Sequence, residues 1–195
     1  MKKIISLILT IIMIALPLMS CGEKIPYKVT KEETNLVIID VKDYGKIVVE
    51  LYPEVAPITV ANFKRLVSQK FYDGLIFHRV ISGFMIQGGG YTTNKIEKDC
   101  PSIKGEFSSN GVENDLLHKR GVISMARTNI PDSASSQFFI MHKDYPSLDG
   151  EYAAFGMTVY GIDVVDKIAA VATYSQTDWP KTEVKIKSIR FAVER

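Results

Sequence analysis

Short β-rich runs separated by turn-forming residues dominate the chain between residues 36 and 193. We count about eight such runs, and two further segments repeat apolar residues at the helical spacing of three and four. Many short strands with one covered face favour a closed barrel, because closure leaves no exposed sheet edge. The sequence therefore predicts a mainly β fold, a closed eight-stranded antiparallel β-barrel capped by two α-helices.

The predicted elements have definite bounds. The strands are expected at residues 36–41, 46–51, 75–81, 84–87, 121–126, 137–142, 153–160 and 184–193. Pro57 suits the first turn of a helix that ends before Asp73, and Asp163 is a candidate cap for the second helix. In the last strand the apolar alternation changes parity at Ser188, which predicts a β-bulge. Residues 90–120 hold many turn formers and predict a long loop region of functional interest.

The N-terminus resembles a bacterial lipoprotein signal. Lys2 and Lys3 precede an apolar run over residues 4–18, which is shorter than the roughly 20 residues a membrane-spanning helix needs. Leu18 stands three residues before Cys21, with a small residue between them. This lipobox-like pattern implies cleavage before Cys21 and acylation of its thiol. A plain signal peptide and an uncleaved anchor are the alternatives.

These features divide the chain into three parts. Residues 1–20 are expected to be the signal peptide, residues 21–34 a lipidated cysteine with a flexible tether, and residues 35–195 one folded domain. We expect the protein to be extracytoplasmic and anchored to the cell membrane through lipid on Cys21. Gly22 is not the aspartate that retains some lipoproteins in the inner membrane, so an outer-membrane location stays open if the cell has one.

The charge balance excludes some partners. Loss of residues 1–20 removes Lys2 and Lys3, so 24 Lys and Arg residues fall to 22, equal to the 22 Asp and Glu residues. A chain without basic excess is not expected to bind nucleic acid. With Cys21 acylated, Cys100 has no partner for an internal disulfide.

The segment from Phe77 to Gly89 combines a cation, apolar side chains and an amide. Arg79 precedes the apolar pair at residues 84–85, and Gln87 follows it. In strand geometry Arg79 and Ile81 can share a face, and Met85 and Gln87 can likewise share a face. The segment therefore predicts an apolar floor with a guanidinium and an amide at its rim, suited to holding a short piece of polypeptide.

Other chemistries have weaker support in the sequence. The three histidines, His78, His118 and His142, lack the spacing of a metal-ligand set, so we expect no metal and no other cofactor. The pair Asp132–Ser133 with His142 superficially suggests a hydrolase, but no G-x-S-x-G motif is present. We expect His78 to point away from the face that carries Arg79 and to be structural.

Seven motifs, in order, resemble the cyclophilin-type peptidyl-prolyl cis-trans isomerases. The motifs are Phe71–Gly74, Phe77–Val80, Gly83–Gly89, Glu106–Phe107, Ser124–Thr128, Ser135–Ile140 and Leu148–Gly156, and the resemblance extends from about residue 36 to residue 193. The resemblance implies an enzyme that accelerates rotation about X–Pro bonds of exported proteins without a cofactor. The alternative is a non-catalytic module on the same fold that binds proline-containing polypeptides as a chaperone or scaffold does.

The resemblance also implies roles for single residues. It makes Arg79 the catalytic residue. It implies that the pocket for the substrate's proline ring is lined by Phe84, Met85, Phe139 and Leu148. By composition alone, Phe84, Met85, Phe138 and Phe139 could instead be barrel core, and strand alternation allows Phe138 to face inward with Phe139 in the groove.

The remaining groove residues are implied in the same way. Gln87 and Gln137 would position Arg79 and bind substrate backbone. Ala126 and the backbone of Arg127 would lie along the peptide. Tyr152 stands where many members of the family have histidine and keeps an aromatic wall with a polar tip.

One departure concerns an inhibitor of the family. Ser147 stands where eukaryotic members have a tryptophan that contacts cyclosporin. Loss of a large apolar contact removes about 2 kcal/mol or more of binding free energy. We therefore expect weak cyclosporin binding, and we expect the protein to be a monomer.

Overall fold

The computed structural model describes residues 25–195, so the expectations for the signal peptide and for Cys21 lie outside the described residues. Within these described residues there are two α-helices, α1 over Pro57–Ser68 and α2 over Ile162–Ala169. Nine strands are numbered along the chain: β1 Tyr27–Val29, β2 Leu36–Val41, β3 Gly45–Leu51, β4 Leu75–Ile81, β5 Met85–Thr92, β6 Val122–Met125, β7 Phe138–Met141, β8 Ala154–Tyr160 and β9 Ile186–Glu194.

All nine strands belong to one antiparallel sheet, in the order β1-β9-β2-β3-β8-β6-β7-β5-β4. The mainly β class with two helices is confirmed. The outermost strand β4 also meets the residues that lead into β9, because the Phe77 N–H donates to the Val184 carbonyl at 2.9 Å and Ile76 bridges Lys185. These contacts bring the two ends of the sheet together, and complete closure into a barrel stays a prediction.

The strand that the sequence did not predict is β1, which lies in the segment assigned to the tether. Residues 27–29 pair with the end of β9, with Tyr27 opposite Glu194. The Arg195 N–H also donates to the Pro26 carbonyl at 2.9 Å. The expected count of eight strands is therefore wrong, because three residues without a clear alternation gain strand geometry by pairing with an exposed edge.

The predicted helices are confirmed, with shifted ends. Helix α1 begins at Pro57 as expected and ends at Ser68, earlier than Asp73. Helix α2 follows Gly161, and this glycine rather than Asp163 is the residue before its first turn. Gly161 has φ of +81°, and a Cβ there would collide with the Lys46 carbonyl. A left-handed residue without a side chain is needed at this turn.

The predicted bulge in the last strand is also confirmed. Asp40 of β2 pairs with Ser188, whereas the next residue, Val41, pairs with Ile186. Lys187 is thus the extra residue, and it allows apolar residues of both parities to face the interior.

The interior of the sheet holds one large apolar cluster. Phe63 of α1 lies at its centre, with ring centroids 5.2 Å from Tyr72, 5.7 Å from Phe138 and 5.3 Å from Phe155. All four rings are almost fully buried. Helix α1 therefore packs against the inner face of the sheet, on the strands whose outer face carries the site.

A distant carboxylate caps the start of α1. Ala56, the residue before the first turn, offers no side-chain cap. Glu106 replaces it, since its Oε1 accepts from the Ile58 N–H at 2.9 Å and its Oε2 accepts from the Thr59 N–H at 2.7 Å. Glu106 is 2% exposed. A negative group at a helix N-terminus satisfies free N–H groups and opposes the positive end of the helix dipole.

We predict that Glu106→Ala lowers the free energy of unfolding by about 2–4 kcal/mol, because it removes the acceptor of a buried N–H group, that of Thr59, and of a part-buried one, that of Ile58. The stability of Glu106→Gln should fall between those of the wild-type protein and Glu106→Ala, since a carboxamide has one acceptor oxygen. Urea denaturation measures both. Glu113→Ala, which removes an exposed carboxylate from the same segment, is the matched control, and equal losses for Glu106→Ala and this control would contradict the prediction.

Candidate active site

The β4–β5 hairpin carries Arg79 and Gln87 opposite each other. The ladder pairs Arg79 with Gln87 and Ile81 with Met85, which agrees with the predicted sharing of a face by Arg79 and Ile81 and by Met85 and Gln87. The turn between the strands contains Gly83 with φ of +81°, and its N–H donates to His142 Nδ1 at 2.8 Å. This bond fixes the turn against the segment that follows β7.

The next pairing completes a row of side chains across three strands. Gln87 of β5 is opposite Phe139 of β7. Directly opposed residues of antiparallel strands share a face. Arg79, Gln87 and Phe139 therefore lie in one row on the outer face, and the neighbouring Phe138 points into the interior cluster. The expected division between Phe138 and Phe139 is confirmed.

A bulge in β4 changes the expected position of His78. Phe77 pairs with Gly88 and Arg79 with Gln87, so His78 is an extra residue in the ladder. Phe77 and Val80 both belong to the interior cluster, which leaves His78 and Arg79 together outside it. The expectation that His78 points away from the Arg79 face is wrong, because strict alternation does not hold across a bulge.

His78 nevertheless adds no charge beside Arg79. Its ring lies 4.7 Å from Tyr91 and 5.8 Å from Trp179, between centroids. Burial lowers the pKa of His78 to about 4. The imidazole is therefore neutral near pH 7, and the guanidinium is the cation of this strand.

A cavity of about 240 Å³, here called the main cavity, opens on this face. Nine residues line it: Arg79, Phe84, Met85, Gln87, Ala126, Arg127, Phe139, Leu148 and Tyr152. They are nine of the ten positions that the resemblance assigned to catalysis or substrate binding. The tenth, Gln137, lines an adjoining cavity of about 240 Å³ that shares Gln87, Ala126 and Arg127 with the first.

The floor of the main cavity is apolar and closely packed. Met85 is 1% and Phe139 is 4% exposed. The rings of Phe139 and Tyr152 meet edge to face at 5.8 Å. The Arg127 guanidinium lies 4.7 Å from the centre of the Tyr152 ring, and its Nε donates to the Glu151 carbonyl at 3.0 Å. Arg127 is thus held as part of the wall by an aromatic contact and a backbone acceptor.

Arg79 lies at the rim and has an ion partner that sequence reasoning missed. Its Nε donates to Asp178 Oδ2 at 3.3 Å. The two glutamines that were expected to position Arg79 bond to each other instead, since Gln87 Nε2 donates to Gln137 Oε1 at 3.0 Å. Asp178 is 99 residues away in sequence, so no local pattern pointed to it.

A second missed group supports the floor from below. His118 Nδ1 lies 3.0 Å from Asp149 Oδ1, and His118 Nε2 lies 3.0 Å from Ser124 Oγ. The imidazole stacks on Phe139 with centroids 6.0 Å apart. Burial lowers the pKa of His118. The set resembles a hydrolytic triad, but Ser124 is fully buried and no substrate carbonyl can reach it.

The hydrolase alternative from the sequence has no geometric support. Ser133 Oγ donates to the Ile130 carbonyl at 2.7 Å, within its own turn. His142 instead contacts Gly83 and, through Nε2, Asp166 at 3.2 Å.

Within residues 25–195 no cluster of three or more His, Cys, Asp or Glu side chains could hold a metal ion. No helix in this part of the chain is long and apolar enough to cross a membrane.

The arrangement suits binding and polarisation of a peptide. The main cavity accepts a small apolar ring or side chain, and the guanidinium at its rim can donate to a polar atom beside that group. Glutamine side chains and strand backbone next to the cavity can bond an extended segment.

Sequence comparisons with known proteins all point to the same family. The family model for "Cyclophilin type peptidyl-prolyl cis-trans isomerase/CLD" matches residues 36–191. A peptidyl-prolyl cis-trans isomerase of Acinetobacter baylyi is 49% identical over 155 residues, which cover 75% of this chain and 80% of that protein. Peptidyl-prolyl cis-trans isomerase B of Escherichia coli is 42% identical over 158 residues, with 75% and 94% covered.

Solved structures give the same result. A cyclophilin type peptidyl-prolyl cis-trans isomerase of Cryptosporidium parvum, crystallised in the presence of the dipeptide Ala-Pro, matches with a TM-score of 0.68 at 29% identity. The match covers 80% of this chain and 98% of that one. A cyclophilin of Hirschia baltica matches with a TM-score of 0.67 at 29% identity, with 86% and 76% covered.

Proposed function

The chain belongs to the cyclophilin-type peptidyl-prolyl cis-trans isomerases and catalyses rotation about X–Pro bonds, and we propose that Arg79 is its catalytic residue. The observation that carries this proposal is that Arg79 and Phe139 line the same cavity and lie in one cross-strand row, with Gln87 between them. A cation and an aromatic floor are thereby within reach of a single proline residue.

The reaction requires a lower rotational barrier and nothing else. Rotation about an X–Pro bond faces a barrier of roughly 18–20 kcal/mol, because amide resonance must be broken. The cis and trans ground states differ by only about 0.5–1 kcal/mol. Since no bond to the substrate is made or cut, neither a nucleophile nor an acid–base pair is needed.

Arg79 supplies a donor for the transition state. As the amide twists, the proline nitrogen becomes pyramidal and regains a lone pair. A donor aimed at that nitrogen binds the twisted form more strongly than the planar one, which is the condition for catalysis. A guanidinium stays charged at any working pH and presents several N–H groups in a rigid plane.

The cavity walls divide the remaining tasks. Phe84, Met85, Phe139 and Leu148 hold the proline ring, while the carbonyl before it rotates. On the side of the adjoining cavity, the extended substrate is bound by Gln87, Gln137, Ala126 and the backbone of Arg127. Tyr152 closes the wall next to Phe139. Because one chain supplies every lining residue, we propose that the protein works as a monomer.

The non-catalytic binding module is not favoured. A module of that kind needs the apolar cavity, whereas an isomerase also needs a donor at the rim beside it. Arg79, Gln87 and Phe139 are all present, and the curated relatives described above carry the name of the enzyme.

We predict that Arg79→Ala lowers kcat/KM by about two to three orders of magnitude, because one preorganised donor contributes about 3–4 kcal/mol to transition-state stabilisation. Arg79→Lys should retain part of the activity, since it keeps the charge but loses the planar fork. A protease-free assay of X–Pro isomerisation in a short peptide measures this. Near-wild-type turnover of Arg79→Ala with intact thermal unfolding would overturn the assignment.

We further propose that the enzyme is exported and held at the membrane by lipid on Cys21, where it assists folding of other exported proteins. Five residues, 22–26, separate Cys21 from the first strand. Even fully extended, they span roughly 20 Å. The domain would therefore lie close to the bilayer surface, within reach of newly exported chains.

The anchor is testable because the chain contains two cysteines. In cells fed an alkyne-labelled fatty acid, the wild-type protein should carry the label and enter the detergent phase on phase separation. Cys21→Ala should lose the label, whereas the matched control Cys100→Ala should keep it. Labelled Cys21→Ala protein would contradict the proposal.

Cyclosporin should bind weakly. Ser147 sits in the short 3₁₀ turn over Pro146–Leu148, next to the cavity residue Leu148. We predict that Ser147→Trp raises affinity for cyclosporin about tenfold or more by restoring an apolar contact, while turnover of a short peptide changes little. Competition titration measures the affinity. Nanomolar inhibition of the wild-type protein would show that the serine does not weaken binding.

A further inference from the structure

A loop near the C-terminus is closed on itself and anchored to β4. In this loop, residues 173–180, Thr173 bridges Pro180. The Tyr174 N–H donates to the Trp179 carbonyl, and the Asp178 N–H donates to the Tyr174 carbonyl, both at 2.9 Å. The loop therefore has a defined shape of its own.

Two adjacent loop residues hold three consecutive residues of β4. The Trp179 ring packs on His78, with centroids 5.8 Å apart. The carboxylate of Asp178 accepts from Arg79 Nε at 3.3 Å. The backbone carbonyl of Asp178 accepts from the Val80 N–H at 2.9 Å. The strand is thus held on both sides of Arg79 as well as at Arg79 itself.

The backbone of Asp178 directs its side chain toward β4. Its φ is +57°, in the left-handed region that Asn and Asp tolerate better than most residues. A residue in this conformation can present its carbonyl and its carboxylate to the same strand. Bonding of the carboxylate to Nε leaves the two terminal nitrogens of the guanidinium available to the main cavity.

We infer that Asp178 is a positioning residue for the reaction, which holds the Arg79 guanidinium in the orientation that donates to the proline nitrogen. The inference rests on the proposed catalytic role of Arg79. A long side chain that is partly exposed has many rotamers, and the Arg79 side chain is 42% exposed. Restricting it before the substrate arrives lowers the entropic part of the barrier. The contact acts on the transition state more than on substrate binding, so it should appear in kcat.

The test compares two substitutions at Asp178. Asp178→Gly removes the carboxylate and accepts the positive φ, and it should lower kcat about threefold to tenfold with little change in KM. Asp178→Asn keeps an acceptor oxygen and the left-handed backbone, so it should retain at least half of the wild-type kcat. Glu183→Gln, which removes an exposed carboxylate from the same C-terminal segment, is the matched control for net charge.

A double-mutant cycle separates positioning from folding. In an Arg79→Ala background, Asp178→Gly should have no further effect on turnover, because its target is gone. The chain has one tryptophan, Trp179, so its fluorescence reports whether the loop stays docked on His78. Its emission should be unchanged in both Asp178 variants.

Three outcomes would overturn the inference. They are a loss of less than threefold for Asp178→Gly, an equal loss in the Arg79→Ala background, and a shift of Trp179 emission with equal loss in Asp178→Asn. Failure of the proposed function is distinguishable, because it would appear as near-wild-type turnover of Arg79→Ala alone.

Discussion

Backbone pairing of β5 with β4 on one side and β7 on the other is the constraint on which the site depends. It sets Arg79, Gln87 and Phe139 in one row on the outer face of the sheet. Neighbouring strands lie about 4.8 Å apart, so the cation and the aromatic floor are separated by two such spacings, about 10 Å between backbones. A one-residue slip in either pairing would turn one of these side chains into the interior.

The two faces of the same strands have different roles. The inner face packs Phe138 against Phe63 of α1 and gives the sheet its stability. The outer face carries Phe139, Met85 and their neighbours, which form a second, smaller apolar cluster around the main cavity. His118, with Ser124 and Asp149, fills the space beneath Phe139 with satisfied polar groups. A floor supported in this way keeps its shape when the cavity is empty, which favours a preorganised site.

Sequence reasoning succeeded where the signal was local and periodic. Strands β2 and β4 have the predicted ends, α1 begins at the predicted proline, and the parity change near Ser188 is a bulge. It failed where a long-range contact decided the conformation. Residues 27–29 form a strand because the edge of β9 is available to them. His78 faces outward because the ladder admits one extra residue, which no alternation pattern in β4 shows.

By itself, the sequence determined the class of the fold and the strand that carries Arg79, because both depend on side-chain chemistry at short spacing, and its resemblance to a known family implied which residues line the cavity. Only the tertiary structure decided how the guanidinium is held. The expected partners, Gln87 and Gln137, bond to each other, and a carboxylate from the 173–180 loop takes their place. Which distant segment crosses a given strand depends on the path of the whole chain, and spacing along the sequence carries no record of it.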